Sequence, residues 1–341
     1  MPLPLLRRLG LFTRVLDAAP AAERYRLAAE QILHAERCGF DSAWVAQHHF
    51  HEGEGGLPAP LVFLAHLAAR TTRIRLGTGI ITLPLELPIR VAEDTAVLDM
   101  LCDGRLEVGI GPGGNMSAFR AFGLDSDQRG TLTASHLATL RDAWAGRPLA
   151  GGDTMYPTHP GLDVRVWQAT FGVEGAARAG AAGDGLLLSR TQPRPPGQWH
   201  LTLADIQVPM LDAYFAALPA GIAPRVLASR SVFVADDRAE AWRLAEAGLA
   251  RMQPRLAAQG HPAATGGVRA WVAAFDVHVG TPDDVIASLR ADATLQRATD
   301  LAVQVHSIDP PHPHILRSIE LMASDVAPAL GWRRDDMRKV A

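Results

Sequence analysis

Three apolar runs, each stopping at a short polar or glycine-rich tip, constrain this chain more than any other feature. They are SAWVAQHHF from Ser42, RIRLGTGIITLPL from Arg73 and GRLEVGIGPGG from Gly104. Their tips are Gln47-His48-His49, Gly77-Thr78-Gly79 and Gly111-Pro112-Gly113, and a helical pattern follows each one. Apolar runs alternating with helical periods are the mark of parallel βα units. Folds of that kind gather their chemistry at the carboxyl ends of the strands, so the tips are the places to search.

The rest of the chain continues the alternation. Gly10 to Val15 reads as the first strand. Asp17 and Pro20 then supply a helix start. In that helix Tyr25, Ala28, Ile32 and Ala35 share one face, while Glu23, Arg26, Glu30, His34 and Arg37 share the other. Gly39 ends it. Further strands are expected at 42–47, about 74–83, 106–110, 164–170, 185–189, 231–235 and 301–306. Helices are expected at 58–70, 89–101, about 132–144, 174–182, 204–217, 237–255, 282–289 and 313–327. Thr281 with Asp284 comes close to a capping box at the start of one of them. Eight strands alternating with helices, with no break in composition, predict a single (β/α)8 TIM-type barrel over residues 1–341. Its insertions lie at the C-terminal face. Arg190 to His200, with three prolines, cannot be regular structure, and segments of this kind serve as lids or binding loops.

Composition narrows the function. The 341 residues are 48% hydrophobic and 20% charged, enough for a large core and against disorder. A net charge of −3 and the absence of a Lys/Arg cluster give no case for nucleic acid. No run approaches 18 uncharged apolar residues, and the start lacks the pattern of a signal peptide. The two cysteines, Cys38 and Cys102, read as small buried hydrophobes in a reducing compartment, so a cytoplasmic protein is expected.

Several segments together resemble the luciferase-like monooxygenase superfamily, within it the FMN-dependent bacterial luciferase type. They are AWVAQHHF, LGTGIITLP, RVAEDTAVLDMLCDGRLEVGIGPG, AFRAFGLD and GDGLLLS. The resemblance runs from Gly10 to about Arg190, with weaker support near DLAVQVHSIDPP. It implies a barrel that binds reduced FMN, activates O2 and oxidises a small organic substrate. A separate flavin reductase is expected, because no nicotinamide domain is visible in this sequence. Some relatives use the deazaflavin F420 instead; the His-His tip favours FMN. Pairing as a homodimer, through the helices after strands two and three, is also implied.

The resemblance assigns His48 a catalytic role, and an imidazole at a strand tip suits proton transfer. His49 points the other way along a strand and reads as structural. Gln47 stands where the family carries a glutamate. Gly79-Ile80 aligns with a position that often holds a non-proline cis peptide beneath the flavin. Gly111 and Gly113 are expected beside the flavin, but Pro112 replaces the family arginine for the phosphate. Arg129 or Arg190 would take that duty by charge and loop position. Gly172 and Gly175, at a helix start, would let backbone N–H groups meet the phosphate. Gly109-x-Gly111-x-x-Gly114 satisfies a dinucleotide fingerprint in form, yet it follows the fourth strand, where no Rossmann half-domain begins. His49-x-His51 has a spacing suitable for zinc, which keeps a metal-dependent barrel hydrolase as a weaker alternative. Without further ligands at later tips, no metal site is assigned. Glu93, Asp94, Asp99 and Arg105 read as a buried salt-bridge network or a subunit contact.

Overall fold

The computed structural model describes residues 7–195, 197–258, 260–305 and 310–332. The first half of the chain runs β1 (Arg8–Thr13), α1 (Ala21–Arg37), β2 (Ser42–Val45), α2 (Pro60–Ala68), β3 (Arg75–Thr78), β4 (Ile81–Thr82), α3 (Pro88–Leu101), β5 (Leu106–Gly111), α4 (Met116–Ala121) and α5 (Arg129–Trp144). It continues with β6 (Val166–Ala169), α6 (Val173–Ala181), β7 (Gly185–Leu188), α7 (Leu203–Ala217), β8 (Val226–Val234), α8 (Arg238–Ala250) and α9 (Gln253–Ala258). The last part holds α10 (Gly267–Ala274), β9 (Val277–Gly280), α11 (Pro282–Arg290), β10 (Asp300–Gln304), α12 (His312–Leu321) and α13 (Ala327–Ala329).

Every strand pairing is parallel, and the ring is closed. Its order is β1, β2, β3, β5, β6, β7, β8 and β10, with β10 pairing both β8 and β1. This is the (β/α)8 barrel expected from the sequence. Alternation divides each strand between two environments. Leu106, Val108 and Ile110 of β5 join the large core under the helices, while Glu107, Gly109 and Gly111 alternate with them. Inside the ring, Trp44 and Trp167 meet edge to face, 5.5 Å between centroids, with Leu187, Leu227 and Ala302 around them. Trp167 Nε1 donates to Glu107 at 2.7 Å, and Arg75 pairs with the same carboxylate at 2.5 Å.

Four departures from the expected boundaries matter most. Strand seven, expected at Ser231 to Ala235, begins at Val226; residues 227–231 pair β10 and 231–234 pair the unexpected β9. Arg230 concealed that first half, because a charge within an apolar run argues against a strand. Here it is fully buried, with its charge met by Asp292 at 2.6 Å and by Gln207 and the Ser229 carbonyl. Strand three breaks at Gly79, where β3 stops, β4 resumes and a 3-10 turn over Leu83–Leu85 follows. The helix expected over 237–255 divides at Arg251 and Met252, just before Pro254, whose missing N–H cannot continue the ladder. Asp17 does not cap α1; Pro20 takes the cap position, and the Asp17 carboxylate accepts from Gln31 at 3.0 Å. His306, placed at the end of strand eight, lies outside the described residues. Among the described residues no helix is long and apolar enough to cross a membrane.

The charged residues around α3 are not one buried network as expected, but part into a surface pair and a buried pair. Glu93 and Asp94 make surface pairs with Arg90 at 2.5 and 2.7 Å. Asp99 is fully buried and accepts from Nη1 and Nη2 of Arg165 at 2.6 Å and from the Leu106 N–H at 3.0 Å, with His159 Nε2 at 2.5 Å. Arg105 donates to three backbone carbonyls and Thr71 Oγ1. Asp99 therefore fastens the 145–165 connection to the base of β5. Replacing it with Ala leaves Arg165 without its carboxylate, and the expected loss is about 3–5 kcal/mol in unfolding free energy, measured by urea denaturation. A loss under about 1 kcal/mol would show that the network contributes no more than a surface pair.

Candidate active site

At the carboxyl ends of the strands the ring opens into a cavity of about 540 Å³. Phe12, Trp44, Ile80, Leu187 and Leu227 form an apolar floor continuous with the tryptophan pair. The walls come from the strand tips: Arg14 after β1, His48 after β2, Gly79-Ile80 after β3, the Pro112 to Asn115 turn after β5, Thr170 and Phe171 after β6, and Ser189 to Thr191 after β7.

Hydrogen bonds fix the tip of β2. Gln47 Oε1 accepts from the Thr82 N–H at 2.7 Å, and its amide nitrogen donates to Glu86 at 2.6 Å and to the Pro58 carbonyl. A neutral amide thus links β2 to the segment after β4. The next residue, His48, bonds through its backbone to Leu57. Its Nδ1 is buried with no hydrogen-bond partner among the described residues. That nitrogen is packed over Gly55, whose lack of a side chain makes the approach possible: a Cβ there would lie 2.5 Å from it. Burial, then Arg14, Arg190 and His49, lower the His48 imidazole from its ordinary value to about 3. His48 is therefore a neutral ring at neutral pH, able to donate from one nitrogen and accept at the other.

Two segments cover the mouth. The loop after β2 is joined to the start of α4 by His51 to Ser117 at 2.8 Å and by Asn115 to Glu54 at 3.0 Å. On the other side, the Arg190 to His200 segment is irregular where described. Arg194 pairs with Asp276, and the Trp199 ring lies 4.8 Å from that of His261. Gln192 donates to the Phe171 carbonyl at 2.8 Å, tying this strap to the β6 tip.

With that geometry established, the comparison with known proteins is direct. The sequence profile of the luciferase-like monooxygenases matches residues 9–299. The chain belongs to the luciferase-like monooxygenase family. The alkanal monooxygenase alpha chain of Photorhabdus laumondii is 40% identical over 159 residues, 41% of this chain and 44% of that one. The chain spans about half the length of the curated relatives it matches. Among solved structures, monooxygenase RslO1 from Streptomyces bottropensis has a TM-score of 0.77 at 26% identity, covering 95% of this chain and 99% of that one. The oxygenating constituent of 3,6-diketocamphane monooxygenase from Pseudomonas putida, solved with FMN, has a TM-score of 0.75. At 20% identity over 95% of this chain and 98% of that one, this second likeness speaks for the fold.

In this luciferase-like barrel the expected site residues fall into two sets. His48, Gly79, Ile80, Gly113 and Arg190 stand on the cavity wall. The Gly79–Ile80 peptide bond is cis, as the resemblance implied. Gly113 has a φ of +74°, and Thr82 lies where a Cβ would project. Gly111, Gly172, Gly175 and Arg129 are outside the lining. Gly111 packs behind it against Ile80 and Ala169. Gly172 is at the exposed N-cap of α6, and Gly175 is pressed against Thr170. Arg129 opens α5 and donates to the Ser126 carbonyl at 2.7 Å.

Gly109 of the fingerprint serves strand packing, since a Cβ there would lie 1.9 Å from the Thr78 carbonyl oxygen. His49 also reaches the cavity and stacks edge-on against Phe122 at 5.1 Å, while His51 bonds Ser117. Among the described residues no three His, Cys, Asp or Glu side chains gather as a metal site. The sequence reading passed over Arg14 and Ser229. Arg14 was read as part of strand one, which ends at Thr13. Ser229 belongs to the half of β8 that Arg230 concealed.

The lowered His48 value fixes the sign of a pH effect. The unfolded chain takes up the imidazole proton below about 6.5, whereas the folded protein refuses it until about pH 3. Stability is therefore whole at neutral pH and falls with acidification, by up to about 1.4 kcal/mol per pH unit from this residue. His48→Asn should lose less stability than the wild type between pH 7 and 4.5 in urea unfolding. Equal losses would show that His48 titrates normally.

Proposed function

We propose that the chain is an FMN-dependent monooxygenase of the two-component type, oxidising a small organic substrate with O2 and flavin reduced by a separate enzyme. The observation that carries this reading is His48, a neutral imidazole on the wall of the strand-end cavity, its Nδ1 buried over Gly55. Family membership gives it the context of oxygen chemistry.

The residues present suit a flavin. The cis Gly79–Ile80 peptide and the Gly113 turn, both on the cavity wall, would hold its ring. Of the residues expected at its phosphate, Arg190 lies on the cavity wall, and Arg129 and the α6 start at Gly172 and Gly175 stand outside it. Reduced FMN, when bound, supplies the electrons that activate dioxygen. The protein's part is positional and protolytic. Gln47 sets the angle of the β2 tip, and His48 holds or moves a proton beside the reacting oxygen. The Arg190 to His200 strap excludes water. The exposed apolar side chains Val62 on α2 and Val97, Met100 and Leu101 on α3 favour a homodimer through those helices.

The test is turnover with reduced FMN from a purified reductase, following oxygen uptake and substrate loss together. The wild type should couple the two. His48→Ala should lower coupled turnover by about 10²–10⁴-fold while FMN still binds. Unchanged coupled turnover in that variant would remove His48 from the chemistry.

A further inference from the structure

Glu86 lies outside the cavity lining, half-buried at the end of the 3-10 turn over Leu83–Leu85. That turn is anchored from two sides. His136 Nδ1, on α5, lies 3.0 Å from the Leu83 carbonyl, and Leu85 packs with Ala118 and Phe119 of α4. The Glu86 N–H donates to the Leu83 carbonyl at 3.2 Å and closes the turn. A firm piece of backbone thus delivers a carboxylate to the β2 tip, where Gln47 Nε2 donates to it at 2.6 Å.

The bonds of the Gln47 amide leave it one direction. Oε1 must face the Thr82 N–H, which only donates, and Nε2 must face the Pro58 carbonyl, which only accepts. The second N–H therefore points at Glu86, and that position requires an acceptor. The Gln47 backbone adds a further tie, its N–H donating to the Ile80 carbonyl at 3.3 Å. Gln47 is 7% exposed, so a mismatched partner would leave a buried polar group unmet. His48 and His49 follow it directly, and both stand on the cavity wall. Glu86 also acts on His49 through space. Burial lowers that imidazole from its ordinary value, and the Glu86 charge works against the shift.

We propose that Glu86 is a positioning residue for this site: with Gln47 it forms a matched donor–acceptor pair that fixes the β2 tip, and so the places of the His48 and His49 rings. Its service to the reaction rests on the flavin reading; the contact itself does not. A carboxylate needed only to keep the turn folded has no preference for what stands at position 47. A matched pair demands one donor and one acceptor, in either order. Gln47→Glu sets a carboxylate oxygen against both Glu86 and the Pro58 carbonyl, and repulsion drives the tip from the turn. Adding Glu86→Gln reverses the pair, because the new amide then donates to the new carboxylate. Glu86→Gln alone still offers Gln47 an acceptor, an amide oxygen.

The test compares Glu86→Ala, Glu86→Gln, Gln47→Glu and the double variant Gln47→Glu/Glu86→Gln with the wild type, on the full chain and with two measurements. The first uses no flavin: the imidazole nitrogen resonances of isotope-labelled histidine, with His48 and His49 assigned by substitution. Glu86→Ala and Gln47→Glu should shift both resonances and leave that of His278, bonded to Ser288, in place. The double variant should return them toward wild type. The second is stopped-flow reoxidation of bound reduced FMN by O2. Glu86→Ala and Gln47→Glu should slow it about tenfold, with FMN affinity within about twofold of wild type. Glu86→Gln and the double variant should both stay within about threefold of the wild-type rate. A double variant no better than Gln47→Glu in both measurements would overturn the proposal, as would unmoved His48 and His49 resonances in Glu86→Ala. Resonances that shift and recover in a protein that takes up no FMN would refute the flavin reading and leave the positioning of the tip standing.

Discussion

Trp44 and Trp167, meeting edge to face inside the ring, are the contact on which the site depends. Glycine makes room for them: a Cβ at Gly77 would lie 2.3 Å from Trp44, and one at Gly185 would lie 2.2 Å from Trp167. Two large rings opposite two absent side chains fill the barrel to a fixed height. Below them sits the Glu107 carboxylate, held by Arg75 and the Trp167 indole; above them lies the cavity. The depth of the site is thus set by the pairing of tryptophan with glycine, and its outline by the strand tips.

The second constraint is charge. A barrel mouth with two arginines on one arc, and a histidine beside them, resists protonating that histidine. The neutral imidazole follows first from its burial and then from Arg14 and Arg190.

Much of this was legible in the sequence, for a physical reason. Parallel strands buried on both faces read as continuous apolar runs, and their tips must carry whatever polar groups the cavity uses. The positions of His48, Gly79-Ile80 and Gly113 followed from that rule and from the family resemblance, and that of Arg190 from its charge and loop position. What escaped was polar residue burial inside strands. Ser229 and Arg230 interrupt β8, and only tertiary partners such as Asp292 and Gln207 show why a buried arginine is tolerated there. Arg129, Gly172 and Gly175 were chosen by charge and by helix position. Whether such residues reach a cavity depends on loop paths, which no local pattern encodes.

The most direct test of the central claim is an anaerobic titration of the wild-type protein with reduced FMN, with reduced F420 run in parallel on the same preparation. Saturable uptake of one reduced FMN per chain, with no competing affinity for F420, is the result this account predicts. Preferential uptake of F420 would contradict it and assign the cavity to hydride transfer without oxygen.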